Sequence, residues 1–178
     1  MKSTPKLTIE WTVACARVIV DQQTGEWSLI DVIERVMALQ FPAQHQRFAI
    51  AARVSTEAAP GEDLSLRYRV VRTSDADGEQ TILESRGRWL AGTDRGRFHA
   101  NFAVLRLFRP ERLRFRVDVA TDDGPWQMGA TTSIDVAQME LTAEQAAQFE
   151  SEMKKLLDLP SSAAGRTVAT DDSETEPG

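Results

Sequence analysis

The chain has 178 residues, 42% hydrophobic and 27% charged, enough for one well-buried domain and too few for two. Its formal net charge is −6, and its one cysteine, Cys15, excludes an internal disulfide and a cysteine-rich zinc site. The longest apolar stretch, residues 13–20, is broken by Arg17 and falls far short of the roughly 18 residues of a membrane span.

No apolar run sits behind a basic start in the first residues, which argues against a secretory signal and points to a soluble, cytoplasmic protein. A first strand is expected over about residues 7–21. It is apolar on both faces from Val13 to Val20, as a central strand covered on both sides would be. The turn at residues 21–26 leads to a second strand over 27–39, where Ile30, Val32, Ile33 and Val36 favour extended backbone. Alternating rows follow. Phe48, Ile50, Ala52 and Val54 form one inward face; Leu64, Leu66, Tyr68 and Val70 the next; Phe98, Ala100, Phe102 and Val104 another. Leu113, Phe115, Val117 and Val119 repeat the pattern, and Trp126, Met128, Ala130, Thr132, Ile134 and Val136 make the last row. Between them a weaker strand at 81–90 carries Leu83 and Trp89 on one face, with Gly87 marking a bulge or a close neighbour. Turn residues separate these rows at Pro60-Gly61, Asp77-Gly78, Gly92 to Gly96, Pro110 and Gly124-Pro125. The fold class that results is all-β: an antiparallel β-sandwich, immunoglobulin-like or related, over residues 1–140.

The period changes after Leu141. Thr142-Ala143-Glu144-Gln145 is a capping box, so an amphipathic helix is expected over 141–159, with Phe149, Met153 and Leu156 on its apolar face and Pro160 ending it. Residues 160–178 hold one large aliphatic side chain among several acids and are expected to be a disordered acidic tail.

Charge is unevenly spread. Residues 46–117 hold fourteen arginines against nine acidic residues, whereas 135–178 hold three basic residues against ten acidic ones. Seventeen of the twenty-one basic residues are arginine, whose planar fork suits carboxylates and phosphates. Arg67 and Arg69 alternate with one inward row and Arg112, Arg114 and Arg116 with another, so on a shared sheet they form a basic outer face. That face suits an acidic protein surface, a nucleic-acid backbone or the acidic tail. It equally suits local pairing with Asp and Glu. Its outward positions lack interleaved aromatics, which argues against single-stranded nucleic acid.

Catalytic chemistry is not evident. His45 lies in a polar connection, His99 falls on an outward position, and Cys15 reads as a small core residue. The loop acids Asp21, Asp75, Asp77, Asp94, Asp122 and Asp123 could gather around calcium, although turn chemistry explains the paired ones as well. A hydrolase would have to use acids such as Asp21, Asp31, Glu84, Asp94 and Asp122 brought together by the fold. No phosphate-binding glycine loop is present.

Cys15, Val18, Asp21, Gly25, Ser28 and Leu29, followed by Pro42, Phe48 and the Asp77-Gly78 turn, resemble a family of bacterial β-sandwich domains known only as a domain of unknown function. The resemblance covers about residues 10–136. It departs at Ala16, where members often carry an acidic residue. It implies the sandwich and its two-strand opening, and no activity, cofactor or catalytic residue. The expectation is a non-catalytic protein-interaction or assembly subunit without cofactor or metal. Its partner would be another protein, met by the arginine face, an edge strand or the helix; a ligand- or calcium-binding sandwich is the alternative.

Overall fold

The alternating rows fold into nine strands and the helical period into one helix among the described residues of the computed structural model, which are 5–24, 26–91 and 96–157. The strands are β1 Leu7–Val20, β2 Trp27–Val32, β3 Arg35–Ala38, β4 Ala43–Thr56 and β5 Asp63–Ser74, then β6 Gly78–Leu90, β7 Gly96–Leu107, β8 Glu111–Thr121 and β9 Thr131–Gln138. They make two sheets, one ordered β2-β1-β4-β7 and the other β3-β9-β8-β5-β6. Every named pairing is antiparallel except β3 on β9, which is parallel. The chain divides after Met139. In the second unit α1 spans Ala143–Leu157, and its capping box closes as expected. Thr142 N–H donates to Gln145 Oε1 at 3.0 Å and Gln145 N–H to Thr142 Oγ1 at 3.3 Å. The tail expected at 160–178 lies outside the described residues.

The core sits between the sheets. Phe48 from one sheet meets Phe115 from the other at 5.0 Å and Phe102 beside it at 5.7 Å, while Tyr68 stacks on Phe98 at 4.8 Å. All belong to one apolar cluster that continues through Ile50, Leu66, Leu113 and Ile134.

Three local features reshape the expected strands. The expected 27–39 strand is divided at Ile33 and Glu34, shortly after Asp31, whose φ of 51° is a left-handed conformation that Asp tolerates. The chain crosses there from one sheet to the other, with Ile33 N–H donating to Ala14 O at 2.8 Å. Arg47, at φ 60°, drops out of the β4/β7 ladder without changing its register, and the parity of the inward side chains reverses there. Val104, expected inside, is therefore exposed, and Leu105 and Leu107 are buried instead. His45 lies within β4 rather than in a connection, partly buried opposite Leu105. Finally, Trp126 to Ala130 do not extend β9. They form a return segment whose backbone is bridged to β8 at Gln127, opposite Val119, and Met128 is 75% exposed.

The β1/β2 ribbon also departs from a flat sheet. Trp27 pairs with Val20, about 20 Å along β1 from Val13, which lies level with His99. Yet the Trp27 ring meets His99 edge-on at 5.0 Å. The ribbon must therefore curl back across the outer face of the four-stranded sheet. Cys15, Ala49 and Ala51, small residues on that face, are fully buried beneath it. Ile19 and Val20 at the tip are exposed, so the double coverage expected for this strand stops near Ala16.

Burial pushes the Tyr68 phenol up to about 12. An unfolded tyrosine ionises near 10, so above that pH the unfolded state sheds its proton first and stability falls until the native phenol ionises. We expect a loss of about 2 to 3 kcal/mol between pH 10 and 12. Tyr68 is the only tyrosine, so tyrosinate absorbance reports it alone. Denaturation of Tyr68→Phe across that range should show a flatter profile than the native chain.

Candidate interaction site

Because β5 and β8 are neighbours, the two arginine rows share the outer face of the five-stranded sheet, as the alternation implies. What the sequence did not reveal is how completely that face is answered from within. Asp118, on the same outer face, is fully buried. Its Oδ2 accepts from Arg69 Nε at 2.9 Å and its Oδ1 from Arg116 Nε at 2.7 Å. Arg116 also spans Glu79 at 3.0 and 3.3 Å, and its guanidinium is held above its usual range, first by the Asp118 hydrogen bond. Arg112 grips Asp135 through two bonds of 2.7 and 3.1 Å, and the Asp135 carboxyl lies below its usual range mainly for that reason. Arg114 reaches Asp75 at 3.3 Å.

Arg67 and Arg69 hold the return segment. Arg67 Nη2 donates to Gly124 O at 3.0 Å, and the two guanidiniums lie 4.9 and 4.6 Å from the centre of the Trp126 ring. Gly129 N–H donates to Asp118 Oδ1 at 3.3 Å. Only glycine fits there, since a Cβ would collide with the Val117 carbonyl oxygen. The basic stripe is thus latched onto its own acids and its own loop.

The other expected sites are scattered. Phe149 on α1 is 43% exposed; the side chains of Met153 and Leu156 lie outside the description. Asp75 and Asp77 follow the end of β5 level with the start of β8, while Asp122 bonds Ser65 at the opposite end of the sheet, so these acid pairs cannot share one ion. Asp21 accepts the N–H groups of Gln23 and Thr24, a turn role that lowers its pKa. Asp94 lies outside the described residues, and among those described no three His, Cys, Asp or Glu side chains gather as a metal site. Burial raises the Cys15 thiol and lowers His45. His99 is exposed and packs on Trp27.

Two clefts bear on the rest of the molecule. One of about 360 Å³ lies beside the curled ribbon, with Trp11, Trp27, Arg53 and Arg97 in its walls; Arg53 is tied to Glu10 at 3.3 Å. The other, of about 210 Å³, opens between the two sheets, where the edge strands β6 and β7 face each other. Phe48 reaches it from the core, Ile82 comes from β6, and Phe102, Val104, Leu105 and Arg106 from β7. Arg72 also lines it. It lies opposite the inward Phe115 on β8, so it continues the Leu66, Tyr68, Val70 row into the core, which the reading of that row as ending at Val70 missed. Its Nη2 is 3.9 Å from Glu111 Oε1, and neither its Nε nor its Nη2 makes a hydrogen bond. Ile82 enters through a bulge, where β6 supplies one extra residue opposite Val70 and Val71.

These features define a two-sheet β-sandwich whose charged outer face is largely paired from within and whose flank between β6 and β7 is open. Residues 10–128 match a family of unknown function, DUF6941, and the chain belongs to that family. No curated protein matches it. Among solved structures it is similar to a superoxide reductase (neelaredoxin) from Ignicoccus hospitalis, 14% identical over 75% of this chain and 80% of that one, with a TM-score of 0.32. It is also similar to murine CRIg, 10% identical over 78% of this chain and 100% of that one, with a TM-score of 0.28. No described helix is long and apolar enough to cross a membrane.

Removing the Asp118 charge leaves two guanidiniums and the Gly129 N–H facing a weaker acceptor. Asp118→Asn should cost about 3 kcal/mol or more in urea denaturation, the scale for breaking a buried pair from one side. Asp135→Asn, at an exposed pair, should move the midpoint far less.

Proposed function

We propose that this chain is a non-catalytic, cytoplasmic protein-interaction subunit that takes an extended segment of a partner protein along its open flank. The observation that carries this reading is β6, bonded to β5 on one side and, over residues 78–88, to no other strand among the described residues. A free sheet edge offers a row of unpaired N–H and C=O groups to an incoming strand. The described residues of β6 contain no proline or lysine to blunt it. The second long edge, the twelve-residue β7, lies on the same flank, whereas the opposite edges β2 and β3 have only six and four residues.

The satisfied arginine face supports the same reading by subtraction, because a partner there would have to displace ion pairs already formed. Support for the non-catalytic part is the dispersal of reactive groups. His45 and His99 sit opposite Leu105 and Ala51 on the β4/β7 ladder, about 20 Å apart along the strand.

A photoreactive residue replacing the exposed Arg86 on β6 should give one reproducible adduct in the native host, and one replacing the exposed Arg17 on β1 should not. With that partner purified, amide exchange across Gly78–Leu90 should slow at least about tenfold on binding. Absence of an adduct at Arg86, or unchanged exchange along β6, would remove the edge as the binding surface.

A further inference from the structure

The geometry points to the cleft between β6 and β7 as the anchor pocket of that interaction. It would take a bulky apolar side chain, aromatic or branched, whose neighbour in the partner segment is an acidic residue. This inference rests on the edge reading and adds to it the chemistry of the partner.

The walls set the first half of that chemistry. Ile82, Phe102, Val104 and Leu105 are apolar, and the fully buried Phe48 ring makes the floor. A volume of about 210 Å³ holds about seven waters, which a single large side chain replaces. The flank is closed at its other end, where the Trp89 ring packs at 3.1 Å against the position a Gly96 side chain would occupy. The bulge at Ile82 and the inward switch of Leu105 frame the opening.

Cations set the second half. Arg106 stands exposed on the wall with no hydrogen bond or ion pair to a described residue. Arg72 lies deeper, its side chain 13% exposed, facing Glu111 only across 3.9 Å. Arg109 reaches that same carboxylate at 4.0 Å while also pairing with Asp77 at 3.8 Å, so Glu111 is not Arg72's alone. A carboxylate arriving beside the apolar anchor meets Arg106 first and strengthens the field that Glu111 alone leaves incomplete. A basic neighbour would be repelled.

Hydrocinnamate carries both features, a phenyl ring and a carboxylate, and serves as the probe. Titrated into the full chain with labelled Ile, Leu and Val methyls, it should shift Ile82, Val104 and Leu105 selectively. Phenylpropanol, without the charge, and propanoate, without the ring, should each bind about tenfold more weakly, the share of one charge-assisted contact or one buried ring. Ile82→Trp, which fills the cleft, should abolish the shifts, and Arg106→Gln, on the exposed wall, should reduce only the preference for the acid over the alcohol. No shift at these methyls in the folded chain, or an equal response in Ile82→Trp, would overturn the pocket. Slowed exchange along β6 with a partner whose binding ignores Ile82→Trp would sink the pocket and keep the edge. Hydrocinnamate binding without any β6 adduct would do the reverse.

Discussion

A carboxylate removed from water must be met by charge and hydrogen bonds, and Asp118 is removed from water completely. Its position is unusual for a buried acid, since it points away from the apolar core, onto the outer face of β8. Burial comes from the return segment, which Arg67, Trp126 and Gly129 hold down over that face. The carboxylate thus ties together β5 through Arg69, its own strand through Arg116, and the β8 to β9 connection through the Gly129 N–H. Each partner satisfies another: Arg69 is shared between Asp118 and Trp126, and Arg116 between Asp118 and Glu79. Removing one member leaves the rest with unmet charge, which is why a single side chain governs the use of an entire sheet face.

Charge balance along the chain and charge balance on the surface are therefore different quantities. The excess of arginine over acid between residues 46 and 117 reads as a basic face, and locally it is one. Folding brings in Asp118 and Asp135 from beyond that window and turns Asp75 and Glu79 back onto it. Period-two alternation places side chains on faces, and it did so correctly for the Arg67, Arg69 and Arg112 to Arg116 rows. It carries no information on what a connecting segment will lay over a face. Trp126 and Met128 illustrate the limit: their spacing continues the Ile134 row, yet the first stacks under two guanidiniums and the second is left in water.

The same limit explains the flank cleft. Phe48, Phe102 and Tyr68 were legible because alternation is robust where backbone is regular. Leu105, Ile82 and Arg72 were not, because each depends on an irregularity: the left-handed Arg47, the bulge on β6, and an inward row that ends in a charge. A positive φ at Arg47 has no signature in a non-glycine residue. Arg72 was legible in principle, since it keeps the parity of Val70. It reads as outward only if arginine is assumed never to face a core, and at the end of a sandwich a partly buried guanidinium facing Glu111 is sustainable.

A long open edge also invites pairing with copies of the same chain, so selectivity has to come from elsewhere. The bulge at Ile82 kinks the edge at its middle, which shortens the flat template available to any strand. Arg86 and Arg88 on β6 and Arg106 on β7 outweigh the exposed acid beside them, Glu84, and leave this part of the flank positive on balance, with Arg88 only loosely offset by Asp63 at 3.9 Å. Two copies approaching through this flank bring like charges together, which costs free energy that no apolar contact at the rim recovers. An acidic segment with an apolar anchor meets attraction on both counts. The irregular residues that made the cleft hard to read from sequence thus also make the edge selective: straight strands would have sealed the core and left a uniform template.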